Sequence, residues 1–162
     1  MHNSSPIAGN RIETQLREIA ARLDEIAAQT PEMSGMDLAY DRGNVSREDW
    51  EAAAAAAQAI VVRQEAEVAR IDELRARYPA ELDAYLDALL AQLAQQLEDA
   101  GRRIASSSDA ASHSELRFKH ALLPDVLTCL TAWRDGSPSR HSFAWAWRVV
   151  FRTTDECAKL LR

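Results

Sequence analysis

The sequence predicts an all-α fold: an elongated antiparallel bundle of about five helices, in a single domain spanning residues 1–162. Three observations carry that prediction. Breakers are scarce, with five Gly and five Pro in the chain. Ala, Leu, Arg, Glu and Gln fill the long segments, and these side chains lose little rotamer freedom in a helix. Apolar residues also recur at the three-and-four spacing of a helical stripe. A fold of this size removes roughly 70% of the unfolded chain's surface from water, so no disulfide or metal is needed for stability. The content of 47% apolar and 27% charged residues is that of a globular chain, not a disordered one.

The first helix is predicted over 10–29, where Ile12, Leu16, Ile19, Leu23 and Ile26 form a narrow seam. Glu13, Arg17, Glu18, Arg22 and Glu25 make up its polar face, and Thr30-Pro31 ends it. Residues 30–46 read as a connector with one helical turn around Met36 and Tyr40, because no period is sustained there. Ser46 then offers an N-cap, with Glu48 and Asp49 in the first turn, to a helix over 47–78. At 1.5 Å per residue that helix is about 48 Å long, which makes the bundle elongated. Its inward stripe is Trp50, Ala54, Ala57, Val61, Val68, Ile71, Leu74 and Tyr78. The alanine run 52–57 provides a slim face that a neighbouring helix can approach closely.

Pro79 suits the first position of a third helix over 79–105, since its missing N–H costs nothing there. So direct a junction predicts an antiparallel hairpin of the two long helices. Leu82, Leu86, Leu89, Leu90, Leu93 and Leu97 supply the stripe of the third helix. Ser112 and Glu115 form a capping box before a fourth helix over 113–135, whose stripe is Leu116, Leu123, Leu127 and Leu130. Pro124 lies inside it, removing the bond to the His120 carbonyl and predicting a kink. Gly136 is placed to end it.

Ser137 and Pro138 open the last segment, 138–161, whose pattern has two readings. As a helix it aligns Phe143, Trp147, Val150, Thr154, Cys157 and Leu161 on one face. As a strand it alternates Phe143, Trp145, Trp147, Val149 and Phe151 against smaller and charged residues. No other segment reads as a strand that could pair with it, so helix is preferred.

Composition narrows the function classes. The net charge of -6 disfavours broad nucleic-acid binding and anionic-membrane binding, both of which draw affinity from neutralising phosphates. Basic residues gather at the end, where residues 137–162 hold five bases against Asp155 and Glu156. That helix either lies against an acidic neighbour in the bundle or presents a basic patch to an acidic partner. No apolar run approaches the roughly 20 residues of a membrane span. The first nine residues lack the basic and apolar regions of a secretory signal. Cys129 and Cys157 sit in helical patterns and read as reduced core thiols, so the expected location is a cytoplasm. Arg outnumbers Lys seventeen to two, a bias associated with high-GC bacterial genomes.

Motifs that carry chemistry are scarce in the chain. There is no P-loop, G-x-G-x-x-G, G-x-S-x-G or H-E-x-x-H. Glu115 and His120 are five apart, not the three of a bundle metal site, and the cysteines form no C-x-x-C pair. No cofactor and no metal are therefore expected. One pair stands out: Arg134 and His141, separated by six residues ahead of a helix, resemble the Arg-x(4 to 6)-His element of HEPN-family ribonucleases. That resemblance implies an arginine and a histidine acting near an RNA phosphate. The sequence departs from the family pattern at Gly136 and Pro138, and only Asp135 stands beside the arginine as a polar match.

The more productive feature is the helical wheel of the last segment. With Phe143, Trp147 and Val150 inward, Trp145 falls opposite, beside Arg148, Val149 and Arg152. Trp and Arg are the side chains in which binding energy concentrates. These four residues are thus the expected contact site for another protein with an acidic surface. The functional expectation is a small cytoplasmic interaction module: an immunity protein, effector chaperone, antitoxin or regulatory adaptor. A ribonuclease using Arg134 and His141 is the alternative, and a structural helical protein that self-associates through its two long helices is a further one.

Overall fold

The computed structural model describes residues 10–30, 33–107, 113–136 and 141–162. It is an all-α bundle of six helices: α1 (Arg11–Ala28), α2 (Met33–Asp41), α3 (Arg47–Arg77), α4 (Pro79–Ala105), α5 (Ser114–Arg134) and α6 (His141–Leu160). Several starts and stops follow the sequence signals. The Ser46 hydroxyl accepts from the Asp49 N–H at 3.1 Å. Asn10 does the same for Ile12 at 2.7 Å. Pro79 opens α4, and Gly136 follows α5 with a φ of 82° that a glycine adopts without strain. Pro124 lies within α5, whose helix continues past it. The caps expected from Ser112 and Ser137-Pro138 fall outside the described residues.

The connector expected over 30–46 holds a true helix of nine residues, α2. Its own sequence shows no sustained period, and tertiary contact supplies what propensity does not. Tyr40 stacks on Trp50 of α3 at 5.2 Å. The Trp50 indole N–H donates to Asp37 at 2.6 Å. Gly43, at φ 72°, allows the tight turn that brings the two helices together.

The predicted hairpin of the two long helices is corrected to an elbow. Tyr78 alone separates α3 from α4, shorter than the two to five residues that an αα-hairpin loop uses. The most extensive packing of α4 is against α5. These two helices approach closely at Gly101, where a Cβ would meet His120 Nε2 at 3.3 Å.

The helix reading of the last segment holds, and its position explains its composition. α6 packs against α1, α3, α4 and α5. Phe143, Ala144, Ala146, Trp147, Val149, Val150, Phe151, Thr153, Thr154 and Cys157 are all buried on it. Trp147 meets the edge of Trp133 at 5.4 Å, and the Trp133 indole donates to Asp72 of α3 at 3.2 Å. Gln96 of α4 donates to the Thr154 carbonyl at 2.9 Å, and Arg103 closes the end of α6 on the Leu161 carbonyl at 3.0 Å.

α1 runs antiparallel to α3. Arg11 stacks on Tyr78, Arg22 pairs with Glu67 at 2.9 Å, and Arg63 donates to Gln29 at 2.8 Å. α1 therefore covers α3 only from about residue 63 onward. The preceding 16 residues, 47–62, extend roughly 24 Å further. Beside them lies α2, whose packing is on α3. No residue of α3 before Ile60 is buried, nor is any described side chain of α2. The molecule is thus a closed bundle carrying a two-helix arm.

Candidate functional site

The four residues expected to face a partner do not form one exposed surface. Val149 is in the core at 5% exposure. Trp145 is half-buried and packs against the core cluster. The wheel placed them outward because it assumed one buried face, whereas four helices surround α6 and α1 covers the face opposite Phe143. Arg148 and Arg152 do reach the surface. Both turn to one carboxylate of α1, Asp24, at 3.9 and 3.4 Å.

Those two arginines rim a groove of about 340 Å³ between α1 and α6. Ala20, Ala21 and Phe151 line it together with Arg17, Asp24 and Asp155. Arg17 lies over the Phe151 ring at 4.7 Å and pairs with Asp155 at 3.0 Å. That hydrogen bond is the largest of the influences holding its guanidinium more firmly protonated than usual. Glu156 is drawn away to Lys119 at 3.2 Å. Arg17 also pairs with Glu13 at 3.4 Å, so the three arginines are matched by Asp24, Asp155 and Glu13, with Arg148 and Arg152 sharing Asp24 alone.

The arginine of the HEPN-like pair is engaged by protein. Arg134 forms an ion pair with Asp87 at 2.6 Å, and its carbonyl accepts from Arg75 at 2.7 Å. His141 opens α6, but its side chain and residues 137–140 lie outside the described residues. Among the described residues no group of three His, Cys, Asp or Glu is placed to hold a metal ion. None of the described helices is long and apolar enough to cross a membrane. Cys157 is buried and free, and burial pushes its thiol pKa up, which suppresses the reactive thiolate. Cys129 is half-buried and also free.

Sequence reasoning missed the arm as a surface. Residues 52–62 carry no charge for eleven consecutive positions. A helix uncharged on every side is ordinarily enclosed. Here α2 half-covers one side, through Trp50, Ala53, Ala54 and Ala57, while Ala52, Ala55, Ala56, Ala59 and Val62 are exposed. Val62 stands at 56% exposure, and Leu38 on α2 at 49%. The tip is acidic: Asp37, Asp41, Glu48, Asp49 and Glu51 outnumber Arg42 and Arg47. The signal in the sequence was the missing polar face opposite the inward stripe. Alanine concealed it, being a strong helix former whose exposure raises no alarm.

No family model, no curated protein and no solved structure matches the chain.

Proposed function

We propose that this protein is a cytoplasmic protein-interaction module that works without a cofactor, in the manner of an immunity protein, effector chaperone, antitoxin or adaptor. The observation that carries the reading is the arm. The bundle encloses its own core, and neither residues 47–59 of α3 nor any described side chain of α2 is buried. An uncharged helical shaft held clear of the core costs conformational entropy and leaves apolar surface in water. Burial of that surface by a partner offsets both. The arginine rim over the α1–α6 groove supplies a second contact, suited to a partner carboxylate. The free, separately packed cysteines favour a reducing compartment.

A photo-crosslinking amino acid placed at Val62 tests this, with Phe118 as the control site. Phe118 is 64% exposed but lies on α5, away from the arm. The expected outcome is a discrete adduct in the source cell from Val62 and none from Phe118. Adducts of the same pattern from both positions, or from neither, overturn the reading.

A further inference from the structure

We propose that the outward face of α3 pairs with α3 of a second copy of this chain, in parallel and in register. The inference rests on the interaction-module reading and names the occupant of its exposed shaft.

The face points away from the bundle core, and its basic edge borders α1, where Arg63 donates to Gln29 at 2.8 Å. Ile60, Glu67, Val68, Ile71 and Leu74 turn into the bundle. On the opposite side Ala52, Ala55, Ala59, Val62, Ala66 and Ala69 succeed one another at steps of three and four, the a and d positions of a heptad. All are exposed except Ala69, which is intermediate. The spacing stays in phase across the arm and on into the part of α3 that lies against α1. A second copy therefore meets one straight face, not two unrelated patches.

Charge decides the occupant and its direction. The row on one side of the face reads Glu51, Gln58, Glu65, and the row on the other reads Ala56, Arg63, Arg70. One row is acidic and the other basic, in the g and e positions that set partner choice and orientation in helix pairs. A parallel second copy brings opposite rows together: Glu65 against Arg70 of its mate, and Gln58 against Arg63. An antiparallel copy turns each row toward its own like. Glu65 has no ion pair among the described residues, and Arg70 is held only by Glu67 at 3.6 Å on an exposed side chain. Both are thus available to a neighbour. Glu73, at the next a position, would oppose its own mate and ends the seam.

Sedimentation of the full chain over a wide concentration range tests the pairing. A reversible dimer is expected. Val62→Glu, which sets two carboxylates in the seam, abolishes it without loss of helical signal. Glu65→Arg weakens it about tenfold, and Glu65→Arg combined with Arg70→Glu restores it, because the swapped rows again face their opposites. In a Cys129→Ser background, Ala52→Cys and Ala66→Cys should each cross-link to its own mate, which only a parallel, in-register pair permits. A chain that stays monomeric throughout overturns the self-pairing, while the Val62 crosslinking test judges the module reading independently. A dimer indifferent to Val62→Glu, or one that the double variant fails to rescue, overturns the face or its direction.

Discussion

Trp147→Ala is the perturbation that most directly probes the packing of the bundle. Its indole is fully enclosed, and it meets Trp133 edge-on at 5.4 Å where α5, α6 and α3 converge. Truncating a buried aromatic costs about 3–5 kcal/mol, the transfer energy plus the cavity that the neighbours cannot fill. Loss of the ring pair lies within that sum and accounts for about 0.5–1.5 kcal/mol of it. In a chain of this length each kcal/mol lowers Tm by roughly 2–4 °C, so a fall of about 6–20 °C is expected. Trp147→Phe separates two components of the effect. The Trp147 Nε1 is buried with no hydrogen-bond partner among the described residues, and removing an unsatisfied donor recovers about 1–3 kcal/mol against the lost ring volume. Phe at this site should therefore cost less than half as much as Ala. Trp145→Ala, on a half-buried ring, should fall between wild type and Trp147→Ala, at about 1–2 kcal/mol by area. Urea unfolding followed by circular dichroism measures all three. A cost below about 1 kcal/mol for Trp147→Ala, or equal costs for its Ala and Phe variants, refutes the reasoning.

Three further outcomes follow from the same geometry. Amide exchange should be fast over 33–59 and slow over 64–77, because burial on α3 begins at Ile60; equal protection along α3 would mean that the arm has a cover of its own. Burial raises the Cys157 thiol above its ordinary 9.0 and is the main cause raising the Tyr85 phenol above 10.0, with the Glu13 carboxylate adding to it. The unfolded chain thus loses these protons first, so stability is full below about pH 9 and declines as pH rises beyond it. Tyr85→Phe should flatten the part of the decline above pH 10, and an unchanged slope refutes the assignment. Glu156→Gln strands the ammonium of Lys119, whose side chain is 10% exposed, whereas Lys119→Met removes the charge that needs a partner. The first should destabilise by about 1–3 kcal/mol and the second by less, with the order reversed if Lys119 escapes to water.

The sequence made the helices legible wherever local signals and periodicity agreed. Ser46, Pro79 and Gly136 each act on backbone within about one turn of chain, so their effects need no tertiary information. α2 was hidden because a glycine-containing helix of nine residues gains its stability from Trp50, a residue of another helix. The α3–α4 elbow was hidden for a related reason: Pro79 specifies where a helix starts but not the direction in which it leaves. The outward placement of Trp145 and Val149 on α6 failed at a different level. Phe143, Trp147 and Val150 were placed correctly in the core, but a wheel assigns burial by hydropathy around one axis. It cannot register that α1 lies on the far side, with Asp24 drawing Arg148 and Arg152 onto that surface.

That failure explains why the arm, not the last helix, is the better place to seek function. α6 has the aromatic and arginine content of a binding hot spot, yet a helix with four neighbours needs the same content to fill a core and fasten its rim. Composition cannot separate the two roles; the number of neighbours does. The arm carries almost none of the expected chemistry, only alanines, valines and one glutamine over 52–59 and 61–62, with Ile60 turned inward. Its position supplies what its composition lacks. A hairpin whose described side chains are not buried before Ile60 is stabilised mainly by the stack of Tyr40 on Trp50 and the bond from Trp50 to Asp37. Occupation of the uncharged shaft by another helix would add burial where the chain has least of its own, coupling the folding of the arm to the binding of its partner.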